Sequence, residues 1–148
     1  MDNILQKATE LGISKIIPII SERTEVKELN LDRAKKIVIE ATEQSKQFVP
    51  PEIIDVIKLK DFLQTFDENS KILFADVNSK ENLKAEDLKN INTCCILIGP
   101  EGDFSSAERE LILQNRAVKP FTLSRNILRS DTAAISAISL VNFINNFN

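Results

Sequence analysis

The chain has 148 residues, 43% of them hydrophobic and 28% charged, with a formal net charge of −3. This length suits one domain with a proper core, and the composition is that of a soluble globular protein. There is no histidine, which excludes Ser-His-Asp and Cys-His nucleophile systems and any histidine-containing metal site. The acidic balance gives no global nucleic-acid signature, so an RNA partner has to be argued from local patches. No apolar run approaches the roughly 20 residues of a membrane-spanning helix. The start, MDNILQKATE, carries neither a basic n-region nor a cleavage site, so the cytoplasm is the expected location.

In chain order, Ile4, Leu5, Ala8 and Leu11 fall on one helical face, and Gly12 stands at the position that ends helices. Lys15–Ile20 reads as a strand made irregular by Pro18, and Ser21–Thr24 as a polar loop after it. A helix is expected from Asn30, with Ala34, Ile37, Val38, Ala41 and Phe48 as its buried stripe; Pro50-Pro51 stops it. Ile53, Ile54, Val56 and Ile57 form the next strand. A short helix follows at Leu59–Phe66, then a polar turn at Asp67–Ser70. Lys71–Asp76 is a strand ending on a carboxylate. The segment 77–92 is weakly patterned, with one short helix near Leu83–Leu88. Cys94 through Ile98 is a short apolar run, the pattern of a strand covered on both faces. Its two cysteines read as small core hydrophobes on opposite faces, not as a disulfide or metal pair. A helix at Ser106–Asn115, a strand ending with Phe121-Thr122-Leu123 and a last helix from about Asp131 to Ile144 complete the alternation. Such alternation argues an α/β fold with a mainly parallel sheet and helices on both faces.

Two stretches carry chemistry. The first is Gly99-Pro100-Glu101-Gly102, directly after the Cys94 strand, where two of the chain's three glycines fall. Glycine there allows positive φ and close approach of a ligand to bare backbone, and Pro100 stiffens the turn. Ser105-Ser106-Ala107-Glu108 then reads as a capping box. A rigid turn at the C-terminal end of a buried strand is where open α/β sheets bind ligands. It lacks the lysine of a P-loop and the spacing of GxGxxG. The second stretch is Leu123–Ala137, LSRNILRSDTAAISA, between the last strand and the last helix.

Together, IGPEGDFSSAE and LSRNILRSDTAA resemble the two C-terminal motifs of the RsmE family, SPOUT-class methyltransferases that modify a uridine of small-subunit ribosomal RNA at N3. KATELGISKIIPIISERTE (Lys7–Glu25) and EATEQSKQFVPPEI (Glu40–Ile53) fall in that family's order and spacing. The chain departs at Asp103, where the family has GPEGG, and at Ser124, Asn126 and Asp131, where it has LGxRILRxETA. At Gln47 the family often carries arginine.

The resemblance implies a SPOUT fold with a C-terminal trefoil knot, homodimerisation, and S-adenosyl-L-methionine bound in the knot without metal. Its cofactor loops map onto Phe74, Ala75, Asp76 and Val77; onto Gly99, Pro100, Glu101 and Gly102; and onto Leu123, Ser124, Asn126, Ile127 and Leu128. Leu123, Ile127 and Leu128 would be the apolar walls, and a side chain at Gly102 is expected to fill the pocket. With no histidine, the proton on uridine N3 has to go to Glu101, Asp131 or water, while Arg129 would stabilise charge on the uracil oxygens. For contact with 16S ribosomal RNA the candidates are Arg23, Gln44, Lys46 and Arg125. The homodimer is expected to bury the small-residue face of the last helix, with Ala133, Ala137, Ile138 and Val141. The family also carries an N-terminal PUA-like RNA-binding domain, and Met1 stands almost where the catalytic domain begins, so residues 1–148 are expected to be the catalytic domain alone. The competing readings are a SPOUT remnant that binds S-adenosylmethionine and dimerises without methylating, and a related enzyme acting on tRNA.

Overall fold

Helices alternate with short strands along the chain, and among the described residues every strand pairing is parallel. A computed structural model describes residues 1–25, 27–67 and 69–146; Glu68, within the expected turn at 67–70, lies outside the described residues. Helix α1 (Asp2–Glu10) buries Leu5, Ala8 and Thr9. Gly12 ends it at φ 85°, its N–H donating back to the Thr9 carbonyl, the left-handed stop expected of glycine there. Helix α2 (Leu31–Gln44) starts where the Asn30 side chain accepts the Arg33 N–H at 3.0 Å. It ends earlier than the apolar stripe suggests. Ser45 caps it, Lys46 turns left-handed at φ 59°, and Phe48, expected to be buried, is 100% exposed.

Strands β1 (Lys15–Ile16) and β2 (Ile19–Ile20) pair with β3 (Glu52–Ile53) and β4 (Ile57–Lys58), respectively. The break between β1 and β2 falls at Pro18, which has no N–H to give, although its carbonyl accepts from Ile57 at 3.0 Å. Leu5, Ala34 and Val38 of α1 and α2 form a core against Ile16 and Ile53.

The second unit is a three-stranded sheet with β5 (Ser70–Ala75) between β6 (Thr93–Leu97) and β7 (Val118–Phe121). Alternation along β5 sends Ile72 and Phe74 to one face and Leu73 to the other. The first face packs on α3 (Leu59–Leu63) and α4 (Ser106–Gln114) through Leu59, Phe62 and Ile112. The opposite face packs on α5 (Ser130–Asn146) through Phe121, Ala137 and Val141. Between β5 and β6 there is only a 3₁₀ turn, Ala85–Leu88, where a short helix is expected. Cys94 is exposed rather than part of the core, because β6 is an edge strand whose first residues precede the helix cover. Cys95 is half-buried against the α3/α4 side, and burial pushes its thiol up to about 12.

Helix α1 lies along α5 in the same direction: Asn3 donates to Asp131 at the start of α5, and Asn142 donates to the Leu11 carbonyl near its end. Ala134, Ala137, Ile138 and Val141 are all buried within the single chain. Of the face expected to meet a second copy, Ala137 and Val141 pack on the sheet against Leu73 and Phe121, and Ala133 is half-buried.

Candidate active site

The three strands β5, β6 and β7 run parallel, so their C-terminal ends open on one edge, and the loops that follow them meet there. Hydrogen bonds join the loops. Asp76 N–H donates to the Phe121 carbonyl at 3.0 Å, Thr122 N–H to the Glu81 carbonyl at 2.8 Å, and Ser130 Oγ to the Gly99 carbonyl at 2.9 Å. Between the loops after β5 and β7 lies a cleft of about 510 Å³, within the size range of small-ligand sites.

A smaller hollow of about 40 Å³, sharing Val77, Thr122, Leu123 and Ser124 with the cleft, is lined by Ala75, Asp76, Val77, Leu123, Ser124, Asn126 and Leu128, all expected from sequence, with Thr122 and Ala133, which are not. The cleft itself is lined in addition by Ser79, Lys80, Asn82 and the expected Arg125. Phe74 stands apart from it: it is 1% exposed and packs edge-on against Phe104, with ring centroids 5.8 Å apart. Ile127, expected as an apolar wall, is 87% exposed, because the loop turns outward between Asn126 and Leu128.

Gly99, Pro100, Glu101 and Gly102 border the site without lining the cleft. Neither Gly99 nor Gly102 has positive φ; that conformation falls on Asp103 at φ 60°. Asp103 is stabilised there by its own side chain, which accepts the Phe104 N–H at 2.8 Å, and aspartate tolerates the left-handed region better than most residues. Gly99 is needed for a different reason: a Cβ there would stand 3.1 Å from Asp103 Oδ1. A Cβ on Gly102 would stand in ordinary contact with Arg23, 3.5 Å from its Cβ. The capping box forms as expected, with Glu108 Oε2 accepting from Ser105 N–H and Ser105 Oγ accepting from Glu108 N–H. The Oε1 atom of Glu108 also accepts the Glu22 N–H at 2.8 Å, which pins the Ser21–Thr24 loop beside the turn.

The three proposed catalytic side chains are brought together. Arg129 stands 3.6 Å from Glu101 and 3.9 Å from Asp131. Arg129 is 78% exposed and Glu101 76%, so these are open, weak ion pairs, free to rearrange around a ligand. The Asp131 carboxyl is held below its ordinary value, chiefly by the Thr132 N–H and then by Asn3. Of the RNA candidates, Arg23 is anchored at the turn, its Nη1 donating to the Gly102 carbonyl at 2.9 Å, and Arg125 lines the cleft. Gln44 and Lys46 are not brought to the site. They sit at the end of α2 beside the end of α1, where Gln47 donates to the Thr9 carbonyl at 2.7 Å; Asp131 is at the other end of α1. Arg109, which pairs with Asp76, carried no sequence signal, because the two are 33 positions apart. Among the described residues no group of three or more Cys, Asp or Glu side chains is placed to hold a metal ion, and no helix is long and apolar enough to cross a membrane.

Residues 1–142 match the family described as RNA methyltransferase domain. The chain belongs to this family. Among curated members it is 38% identical over 143 residues to ribosomal RNA small subunit methyltransferase E of Rickettsia conorii, covering 95% of this chain and 58% of that protein. It is also 38% identical to the protein of the same name from Aquifex aeolicus, covering 97% of this chain and 63% of that one. Of solved structures, that of a ribosomal RNA small subunit methyltransferase E from Neisseria gonorrhoeae bound to S-adenosyl methionine superposes with a TM-score of 0.88 at 31% identity. The match covers 97% of this chain and 60% of that one. The resemblance carried by the four motifs is thus borne out, and the RNA methyltransferase domain seen here spans about three fifths of the length of these relatives.

Proposed function

We propose that this domain transfers a methyl group from S-adenosyl-L-methionine to N3 of a uridine in 16S ribosomal RNA of the small subunit. The observation that carries the reading is the cleft at the C-terminal ends of β5 and β7, set beside the Arg129, Glu101 and Asp131 cluster. The linings of the cleft and the hollow beside it combine apolar walls from Val77, Leu123, Leu128 and Ala133 with the neutral polar groups of Thr122, Ser124 and Asn126, and Lys80 and Arg125 border the cleft itself. When bound, S-adenosylmethionine supplies an activated methyl group, so the protein's work is placement and charge management.

Glu101 is taken as the proton acceptor for N3–H, because the Thr132 N–H and Asn3 favour the ionised form of Asp131. Arg129 stabilises the negative charge that spreads to the uracil oxygens as N3 loses its proton. In the balanced step the N3–H proton passes to the carboxylate, the N3 lone pair forms the new N–C bond, and the C–S bond breaks with its electrons retained on sulfur. Arg23, held at the Gly102 carbonyl, and Arg125, at the cleft, hold RNA phosphates.

The departures from the family pattern are accommodated locally: Ser124 Oγ accepts the Asn126 N–H at 3.0 Å, so the two substituted residues form one turn. That favours an active enzyme over a domain that only binds cofactor. The same reading includes a trefoil knot formed by the loop after β6 and the segment from β7 to α5, supported by the Ser130 to Gly99 bond that fastens the two. It further includes a homodimer, a cytoplasmic location, and a PUA-like domain working with the single methyltransferase domain of residues 1–148. Methyl transfer to isolated small ribosomal subunits, with the product identified as N3-methyluridine by mass spectrometry, tests the reading. Methyl on any other nucleotide, or on tRNA instead, contradicts it.

A further inference from the structure

Asp76 closes β5 and is only 4% exposed. Its carboxylate is held at two points by Arg109 of α4: Oδ1 accepts from Nε at 3.2 Å and Oδ2 from Nη2 at 2.7 Å. Planar two-point pairing of this kind fixes direction as well as distance. Oδ1 also accepts the Asn78 N–H at 3.0 Å, and the Asp76 carbonyl accepts the Ser79 N–H at 3.1 Å. The orientation of this one carboxylate therefore sets the turn from Asp76 to Ser79, and Val77 and Ser79 of that turn line the cleft. Arg109 is itself fixed, because the capping box of Ser105 and Glu108 anchors the first turn of α4, and the negative charge of Asp103 adds to its hold.

We propose that Arg109 is a positioning residue for the methyl donor: it locks the Asp76 carboxylate and so holds the Asp76–Ser79 turn as one wall of the cleft, without touching the cofactor. The inference rests on the cofactor reading above and deepens it. A buried carboxylate deprived of its cation turns toward water or another donor. That movement releases the Asn78 N–H and moves Val77. Lysine in place of Arg109 offers one attachment point where the guanidinium offers two, so it restores the charge but only part of the geometry.

The test titrates S-adenosylmethionine calorimetrically into the full chain at a temperature where each protein is folded by circular dichroism. The proteins are the unaltered chain, Arg109→Gln, Arg109→Lys, Asp76→Asn, the double variant, and Arg33→Gln, which like its partner Asp2 does not line the cleft. Arg109→Gln is expected to weaken binding by about tenfold or more, and Arg109→Lys by less. Asp76→Asn should lose about as much as Arg109→Gln, and the double variant no more than either, as coupled residues do. Arg33→Gln should bind as the unaltered chain does. In methyl transfer, Arg109→Gln should raise KM for the donor while kcat at saturation is retained. The inference is overturned by unchanged affinity in folded Arg109→Gln, by additive losses in the double variant, or by an equal loss in Arg33→Gln. If Arg109→Gln does not fold, Arg109→Lys decides, and full affinity there overturns the inference. If the unaltered chain does not bind the donor, the cofactor reading itself fails and this inference falls with it.

Discussion

Asp103 takes the left-handed backbone that a glycine would take more easily, and its side chain compensates by accepting the Phe104 N–H. Asp103→Val loses that bond and adds a β-branched side chain at positive φ, so it should cost about 1–2 kcal/mol of stability in urea unfolding. Asp103→Gly should hold or raise stability, and a larger loss for glycine than for valine contradicts this account. Glu101 and Asp131 divide differently. If Glu101 takes the uridine proton, Glu101→Gln should lower single-turnover methyl transfer by about 10²–10⁴-fold, and Asp131→Asn by clearly less; the reverse order makes Asp131 the base. The lowered Asp131 pKa also has a stability consequence. A carboxyl depressed by folding contributes stability above its unfolded pKa, and that contribution is lost as pH falls through the folded value, below 3.8. Asn3→Ala should move the carboxyl back up toward 3.8, read by NMR titration of Asp131; no upward movement contradicts the role given to Asn3.

The elements themselves were largely legible, because they rest on local signals. The Gly12 stop, the Asn30 and Ser105 caps and the alternation along β5 all involve residues close in sequence. What was hidden depends on distant partners. Phe48 fits the helical stripe of α2, yet the chain leaves the helix at Lys46, and Gln47 turns instead to cap α1. Of the two C-terminal motifs, the Leu123–Ala133 stretch contributes cleft-lining residues and the Gly99–Gly102 turn does not, whereas the Arg109–Asp76 and Asn3–Asp131 contacts join residues with no shared periodicity. Ala137 and Val141 of α5, expected at a homodimer face, pack in the core beneath Leu73 and Phe121. Ala137 is fully buried there, so Ala137→Phe should destabilise the folded chain by about 1–3 kcal/mol through overpacking. Thermal unfolding measured at two protein concentrations separates this from an effect on dimerisation. A loss that vanishes at high concentration places Ala137 at an interface instead.

For the whole molecule, the net charge of −3 sets the expected weakness. Taking a uridine out of its stack costs a few kcal/mol, recovered from RNA contacts, and such contacts are mainly electrostatic and salt-sensitive. Only Arg23 and Arg125 among the expected RNA residues stand at the site. Residues 1–148 alone should therefore bind small-subunit RNA weakly and methylate it slowly, and a PUA-like domain fused ahead of Met1 should raise the rate; equal rates contradict a division of labour between the two domains. The central claim is simpler, that the cleft after β5 and β7 holds the methyl donor. Calorimetric titration of S-adenosylmethionine into the metal-free chain, beside a folded Ala133→Trp variant that fills the hollow beside the cleft, tests it most directly. The account predicts saturable binding at one site per chain, lost in Ala133→Trp. No saturable binding by the unaltered chain, or equal affinity in the variant, would contradict it.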